Sequence, residues 1–439
     1  IDVIMYIHPS LTQSCLDVLM AQHSTRKSLL ENAKNTQLLV TAKRERQVRL
    51  IDQMLRQLER NVETQELWGE LQCEEDYASL KQTKDILIEL TETCRVRNSL
   101  LTYGVEYTPD TEIQNLLRNL GLFDIAMKVL KLLESVEEDD EGDIGEVGRG
   151  VTMLTTYCNN LLYWFCLDNT DNQTIAYEEI DSFFDTLDDD IDSHVVVKAI
   201  FHNNEKLMRS VTRPTIEGMI DKICKNGRNH TYLALCNSIT SVGEKNISEN
   251  QYDIVKFITQ SGRIEKIRLY LGSIDDDEYE EKIELMEPFL ADEKNVNVSD
   301  LPPLLVYYIE FLDTLSACTV GRINVTAVEA KVQSIFAVND FLEAMLDDRC
   351  LMLVKLHMSR FYFDVIIDVE MAIPGLDRLA NVWKHLMSFV KVLEDANEEV
   401  IKLNKHGLDS EEVNKLLIAY ALMCSSIING FFSRNFDAL

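Results

Sequence analysis

The sequence predicts an all-α solenoid of helical repeats made of stacked antiparallel helix pairs, and three observations carry that prediction. First, the stretch 192–240 holds short apolar-periodic segments separated only by His202-Asn203-Asn204, by Thr212-Arg213-Pro214 and by KNGRN at 225–229, so helices follow one another with almost no loop. Second, the middle segment carries its own start and stop. Ile216, Met219, Ile220, Ile223 and Cys224 share one helical face, Pro214 sits in the first turn, and Asn226-Gly227 supplies a left-handed exit. Third, 16 Gly and 7 Pro in 439 residues leave few breaks, and β-branched alternation is rare. Helices of ~10–14 residues cannot bury an apolar stripe alone, so they stack on neighbours of the same kind, as armadillo-like arrays do.

Composition narrows the function. Hydrophobic residues make up 46% of the chain, as in a globular protein. A net charge of −31 excludes nonspecific nucleic-acid binding, which needs basic surface to displace counterions, and an anionic bilayer repels such a chain for the same reason. No run of eighteen apolar residues is found, so no membrane span is expected. The chain opens at Ile1 in mid-pattern, without initiator Met or signal peptide, and reads as a piece of something longer. Its 10 cysteines lie mostly in apolar stripes (Cys15, Cys94, Cys224, Cys236, Cys318, Cys424) with no CxxC, which fits reduced, buried thiols in a cytosolic protein. The sequons at Asn172, Asn229, Asn246, Asn297 and Asn324 are then chance matches.

The order of elements follows from local signals. Residues 1–40 read as two helices broken at His23-Ser24-Thr25. A longer helix over 42–67 carries the stripe Val48, Ile51, Leu55, Leu58 and Val62. Its outer face is basic, with Lys43, Arg44, Arg46, Arg49, Arg56 and Arg60. Pairs such as Glu45 with Arg49 make this a solvated face. Its functional reading is a docking strip for an acidic partner, with Arg44, Arg46, Arg49 and Arg56 as the interface residues. Helices over 77–95 and 109–133 follow, the second capped by Thr108 before Pro109 and turned back at Gly121. Residues 134–150 are acidic and glycine-rich, a mobile loop open to proteolysis. Helices resume over 151–165, pass through the opening stretch, and continue over 248–260 behind a Ser248/Gln251 capping box. An acidic loop at 275–281 precedes helices over 282–291, 301–318, 325–346, 349–362, 376–394 and 409–432, the last behind an Asp409/Glu412 box. Residues 363–375, rich in branched side chains, read as extended. The expected parts are N-terminal repeats 1–134, a flexible acidic loop 135–150, central repeats 151–274, an acidic connector 275–300 and C-terminal repeats 301–439.

No reactive centre is visible. Motifs for phosphate loops, dinucleotide folds, zinc proteases and serine hydrolases are absent, and the glycines at 142, 145, 148 and 150 lie among carboxylates that repel phosphate. The stretch 168–179 begins like a calcium loop, but Gln173 stands where the turn needs glycine and Thr170 replaces a ligand. No two of the 8 histidines have metal spacing. The expectation is therefore no enzyme, no cofactor and no metal.

Six stretches, in register, resemble the inositol trisphosphate receptor family, within the group it shares with ryanodine receptors. HPSLTQSCLDVLMAQHSTRKSLLENAKNTQLLV (8–40) is similar to the opening helix pair of that family's second cytosolic block, and ETQELW (63–68) to the end of the next long helix. NLLRNLGLFDIAMKVLKLL (115–133), KAIFHNNEKLM (198–208) and NGRNHTYLALCNSI (226–239) are similar to the homology module of both receptor types. FDVIIDVEMAIPGL (363–376), with NVWKHLMSFV and INGFFS, looks like the stretch after it. The resemblance implies a regulatory segment of a tetrameric calcium-release channel of the endoplasmic reticulum. On this reading it holds neither the ligand pocket nor the pore, and its partners are other domains of the same chain and neighbouring subunits. Lys27 and Ser28 stand where some family members place a calcium-binding carboxylate, so no metal is expected there. The alternative class is a free armadillo scaffold that binds peptides in its groove. Such scaffolds show a regular ~40-residue sequence period, and none is found.

Overall fold

The structure is a computed structural model that describes residues 42–63, 74–97, 107–135, 145–187, 191–243, 245–269, 271, 277–321, 326–370, 372–406 and 413–436. The expectations for residues 1–40, for 64–68, for most of the first acidic loop and for the Asp409/Glu412 box lie outside the described residues. Those described are overwhelmingly helical, and the only strands among them form two short antiparallel pairs, so the all-α class holds. The chain divides into two compact units, one of residues 1–98 and 107–196, the other of 99–106 and 197–439.

The first unit opens with α1 (Ala42–Glu63), α2 (Glu74–Cys94) and the strand pair β1 (Arg95–Arg97) with β2 (Tyr107–Pro109). It continues with α3 (Thr111–Asn119), α4 (Leu122–Lys131), α5 (Gly145–Cys166), α6 (Thr170–Glu178) and α7 (Ile180–Asp185). The α1 stripe is buried as its spacing requires, at Ile51, Leu55, Leu58 and Val62, against α2 and α4. The cap of α3 differs from expectation. Thr108 and Pro109 lie in β2, and Asp110 caps the helix, its Oδ1 accepting from the backbone N–H of Glu112 at 3.0 Å and of Ile113 at 3.2 Å. A carboxylate that serves two orphan donors at the positive end of a helix outcompetes a hydroxyl.

Helix α5 starts six residues before the expected Val151, so Gly145–Gly150 belong to a helix and not to a loop. The reason is close packing of α5 on α2: a Cβ on Gly150 would lie 3.1 Å from Leu80 Cδ1. Buried amides then tie the far end of α5 to its neighbours. Gln114 donates to the carbonyls of Trp164 at 2.7 Å and Leu167 at 2.8 Å, and Asn172 donates to that of Phe165 at 2.8 Å. The calcium-like stretch is thus a capped helix, with Asn169 accepting from the Asn172 N–H. Asn172 is wholly buried, which bars its sequon from modification in the folded state.

The unit boundary falls inside α8 (Ser193–Phe201). There follow α9 (Glu205–Ser210), α10 (Arg213–Asn226) and α11 (His230–Ser238), so the stretch 192–240 is a run of four short helices, with Thr212 as the α10 cap and Gly227 at φ 95° as its exit. The strand pair β3 (Ser241–Val242) with β4 (Lys245–Asn246) leads to α12 (Ser248–Ile258), α13 (Ile264–Ile267) and α14 (Asp277–Glu284). After 3₁₀ turns come α15 (Pro303–Thr319), α16 (Thr326–Gln333), α17 (Val338–Leu346), α18 (Met352–Tyr362), α19 (Ala380–His406) and α20 (Lys415–Phe436). The acidic run at 275–281 is therefore helical from Asp277 onward.

Helices α11, α15, α18 and α20 pack in series. Several ties between successive layers recur at nearly constant sequence distance. Arg213 meets Asp253 at 2.9 Å and Lys245 meets Glu205 at 3.2 Å, each pair 40 residues apart. The Tyr307 hydroxyl donates to the Ile267 carbonyl at 2.7 Å, again over 40 residues. Asn381 donates to Asn339 at 2.9 Å over 42 residues, and the Glu370 N–H to Glu329 at 3.1 Å over 41. The spatial repeat is thus about forty residues, the armadillo spacing, although the sequence shows no such period.

Two further expectations are corrected in this unit. No Ser248/Gln251 box forms. Gln251 is buried and donates to the carbonyls of Ala317 at 2.8 Å and Val320 at 3.1 Å, which satisfies the end of α15 instead. Residues 363–367 are a π-helical turn that prolongs α18, not an extended segment. Val365, Ile366 and Ile367 stay buried there, and Gly430 of α20 comes so close that a Cβ would lie 2.8 Å from Ile367 Cγ2. Branched residues pack in that turn because the facing helix offers no side chain. Helix α20 is the one helix among the described residues long and apolar enough, over Lys415–Ser433, to cross a membrane by length and composition, a test that core helices of globular proteins also pass; 28% of that window is buried in this fold.

Candidate functional site

The arginine strip runs along the exposed face of α1. Arg49 pairs with Glu45 at 2.5 Å and Arg56 with Asp52 at 3.0 Å, both one helical turn apart, and Arg44 reaches Glu112 at the start of α3. Arg46 is exposed. The strip therefore combines local neutralisation with a tie between α1 and α3. Exposed pairs of this type contribute about 0–1 kcal/mol each, so the strip is free to serve recognition without a large effect on folding.

A second concentration of charge, which the sequence reading missed, lies within the second unit. A cavity of about 180 Å³ beside the π-helical turn is lined by Glu329, Asp364, Asp368 and Glu370. Burial pushes the Asp364 carboxyl up to about 7, with Asp368 and Asp313 reinforcing the shift and Arg360 opposing it. Burial also raises Glu310, one turn before Asp313. Asp313 meets His357 Nδ1 at 2.8 Å. The spacings Glu310/Asp313 and Asp364/Asp368 are one helical turn each, and that was the available signal. Their placement beside one another depends on the stacking of α15 on α18, which no local pattern encodes.

His385 of α19 is 1% exposed, and neither ring nitrogen has a hydrogen-bond partner. It packs edge-on to Phe389 and Tyr362, at centroid distances of 4.4 and 5.9 Å, and burial drives its pKa down to about 3. The free thiols Cys94, Cys158, Cys236 and Cys350 are buried and pushed up to about 12, which leaves them protonated and inert. A larger cavity, about 380 Å³, is lined in the first unit by Met127, Leu130, Lys131, Thr155, Asp185 and Ile191. No group of three or more His, Cys, Asp or Glu side chains is arranged so as to hold a metal ion among the described residues.

What the fold defines is a helical-repeat protein whose polar groups tie helices together. Residues 80–264 match the RIH domain of ryanodine and inositol trisphosphate receptors. Across 363 residues, 81% of its length, it is 25% identical to the inositol 1,4,5-trisphosphate receptor itr-1 of Caenorhabditis elegans. It spans only 11% of that relative's length.

Proposed function

We propose that this chain is a regulatory helical segment of an inositol trisphosphate receptor-like calcium-release channel, on the cytoplasmic face of the endoplasmic reticulum membrane. There it passes ligand-induced domain motion toward the pore of a tetramer. The observation that supports this reading best is the collinear similarity to a receptor over 81% of the chain, with the RIH match inside it. The first forty residues and ETQELW favour the second of the family's two tandem modules, away from the ligand pocket. Mechanically, layers tied only to their neighbours can shift by small rigid-body steps, and such steps bias a distant two-state element if the ligand favours one state. The exposed arginines of α1 are the docking strip for an acidic surface of another channel domain.

Calorimetry on the isolated chain tests the placement: inositol trisphosphate should give no binding heat, and micromolar or tighter affinity overturns it. Reversing Arg46 and Arg49 to Glu should leave Tm within a few degrees of the parent while weakening association with the channel's other cytosolic domains. A large fall in Tm would make the strip structural.

A further inference from the structure

The last turn of α10 lies against the end of α13 in the next layer, and one side chain fastens the two. Arg228, just past the Gly227 exit, donates from Nε to the Lys266 carbonyl at 3.3 Å and from Nη2 to the Arg268 carbonyl at 2.8 Å, the latter over 40 residues. Arg268 in turn donates from Nη1 to the Ile335 carbonyl at 3.3 Å. Burial raises the Cys224 thiol of that last turn, Asp221 adds to the rise, and Lys266 and Arg263 oppose it, which sets the Lys266 charge beside α10.

Four cations therefore meet along one seam: Lys225 and Arg228 from one layer, Lys266 and Arg268 from the next. All four are exposed, and none forms an ion pair among the described residues. The carbonyls that hold Arg228 and Arg268 carry no net charge, so both guanidinium charges stay uncompensated. Nearby carboxylates are spent elsewhere. Glu217 and Asp221 of α10 both lie on Arg263, at 2.8 Å each, and Glu265 is the one carboxylate in 262–268. The negative end of α10 favours Lys225, but Lys266 and Arg268 belong to another layer, so the helix dipole does not account for the group. In a chain of 74 acidic and 43 basic residues, such a seam fits a partner of opposite charge.

The geometry also narrows that partner. Neither cavity described above is lined by any of the four residues, and the guanidinium forks are partly turned to backbone, away from the two-pronged grip that phosphate takes. A bilayer or a nucleic acid reaches far beyond the seam and meets the chain's overall negative charge. A short segment within about one Debye length, ~8 Å at physiological salt, senses mainly the seam.

We propose that Lys225, Arg228, Lys266 and Arg268 form a docking surface for an extended, aspartate- and glutamate-rich segment of a separate polypeptide, laid across the joint between two layers. Its carboxylates bridge Lys225 on one layer and Lys266 on the other, so occupancy stiffens that joint.

Fluorescence anisotropy on the whole chain, with a labelled, unstructured peptide of alternating Glu and Ser, tests this. Binding should saturate at low ionic strength and weaken as salt rises. Lys225→Glu with Lys266→Glu should weaken it at least tenfold with Tm and helicity retained, because both side chains are exposed and free of ion pairs. Arg228 and Arg268 stay in place in that variant, since they hold backbone carbonyls. Lys384→Glu with Lys391→Glu, on α19, should leave the affinity unchanged. A parent that does not bind the peptide at low salt, or a peptide indifferent to reversal of Lys225 and Lys266, would overturn the proposal. So would a parent that binds tripolyphosphate or phosphatidylserine vesicles more tightly than the peptide through these two lysines, which would assign the seam to phosphate groups.

Discussion

Replacing His385 with leucine, an apolar side chain of similar volume, should stabilise the protein. A neutral imidazole needs one acceptor and one donor, and His385 has neither while only 1% exposed. An unsatisfied buried polar group costs about 1–3 kcal/mol, so the exchange should raise unfolding free energy by an amount of that order at pH 7. The pH dependence separates this cause from ordinary repacking. Burial lowers the ring from its usual 6.5 to about 3 in the folded chain, so the folded state binds the proton less well than the unfolded one. That contribution is intact above pH 6.5 and is lost as pH falls from 6.5 toward 3, at up to about 1.4 kcal/mol per pH unit. Urea unfolding of both proteins at pH 7.5 and pH 5 should therefore show a gap that widens by about 2 kcal/mol at the lower pH. A leucine variant less stable at pH 7.5, with an acid dependence equal to the parent's, would refute the reasoning.

Asp364 behaves oppositely. Its carboxyl is raised from 3.8 to about 7, so its favourable protonation is complete below pH 3.8 and is lost as pH rises through 7. Asp364→Asn should stabilise the chain at pH 8 by roughly 1–3 kcal/mol and by little at pH 4, read from paired denaturation curves. Gly430→Ala places a methyl group against Ile367 and Phe363 and should cost about 1–3 kcal/mol; an unchanged midpoint would mean that α20 shifts freely.

Much of this architecture was legible because each helix carries its own punctuation. Thr212, Pro214 and Gly227 bound α10 in sequence and in space alike, and the α1 stripe is buried where its spacing put it. Misreadings arose where a distant partner decided the local form. Gly150 looks like a loop residue until Leu80 lies against it, Gln251 looks like a cap residue until α15 presents its free carbonyls, and the branched run at 363–367 looks extended until Gly430 makes room for a π-helical turn. The carboxylates of the second unit were invisible for the same reason, since Asp313 and Asp364 are near neighbours only through stacking.

Ties that span a steady forty residues have a consequence for how such a chain is made and altered. The bonds from Arg213 to Asp253, Ile267 to Tyr307 and Asn339 to Asn381 become available once the next forty or so residues have been synthesised, so nascent polypeptide can begin to settle layer by layer without waiting for a distant terminus. Lengthening or shortening by a whole layer preserves the phase of every other bond, whereas a ten-residue insertion inside one layer displaces all that follows within it. Inheritance in such a protein is therefore counted in layers rather than in residues.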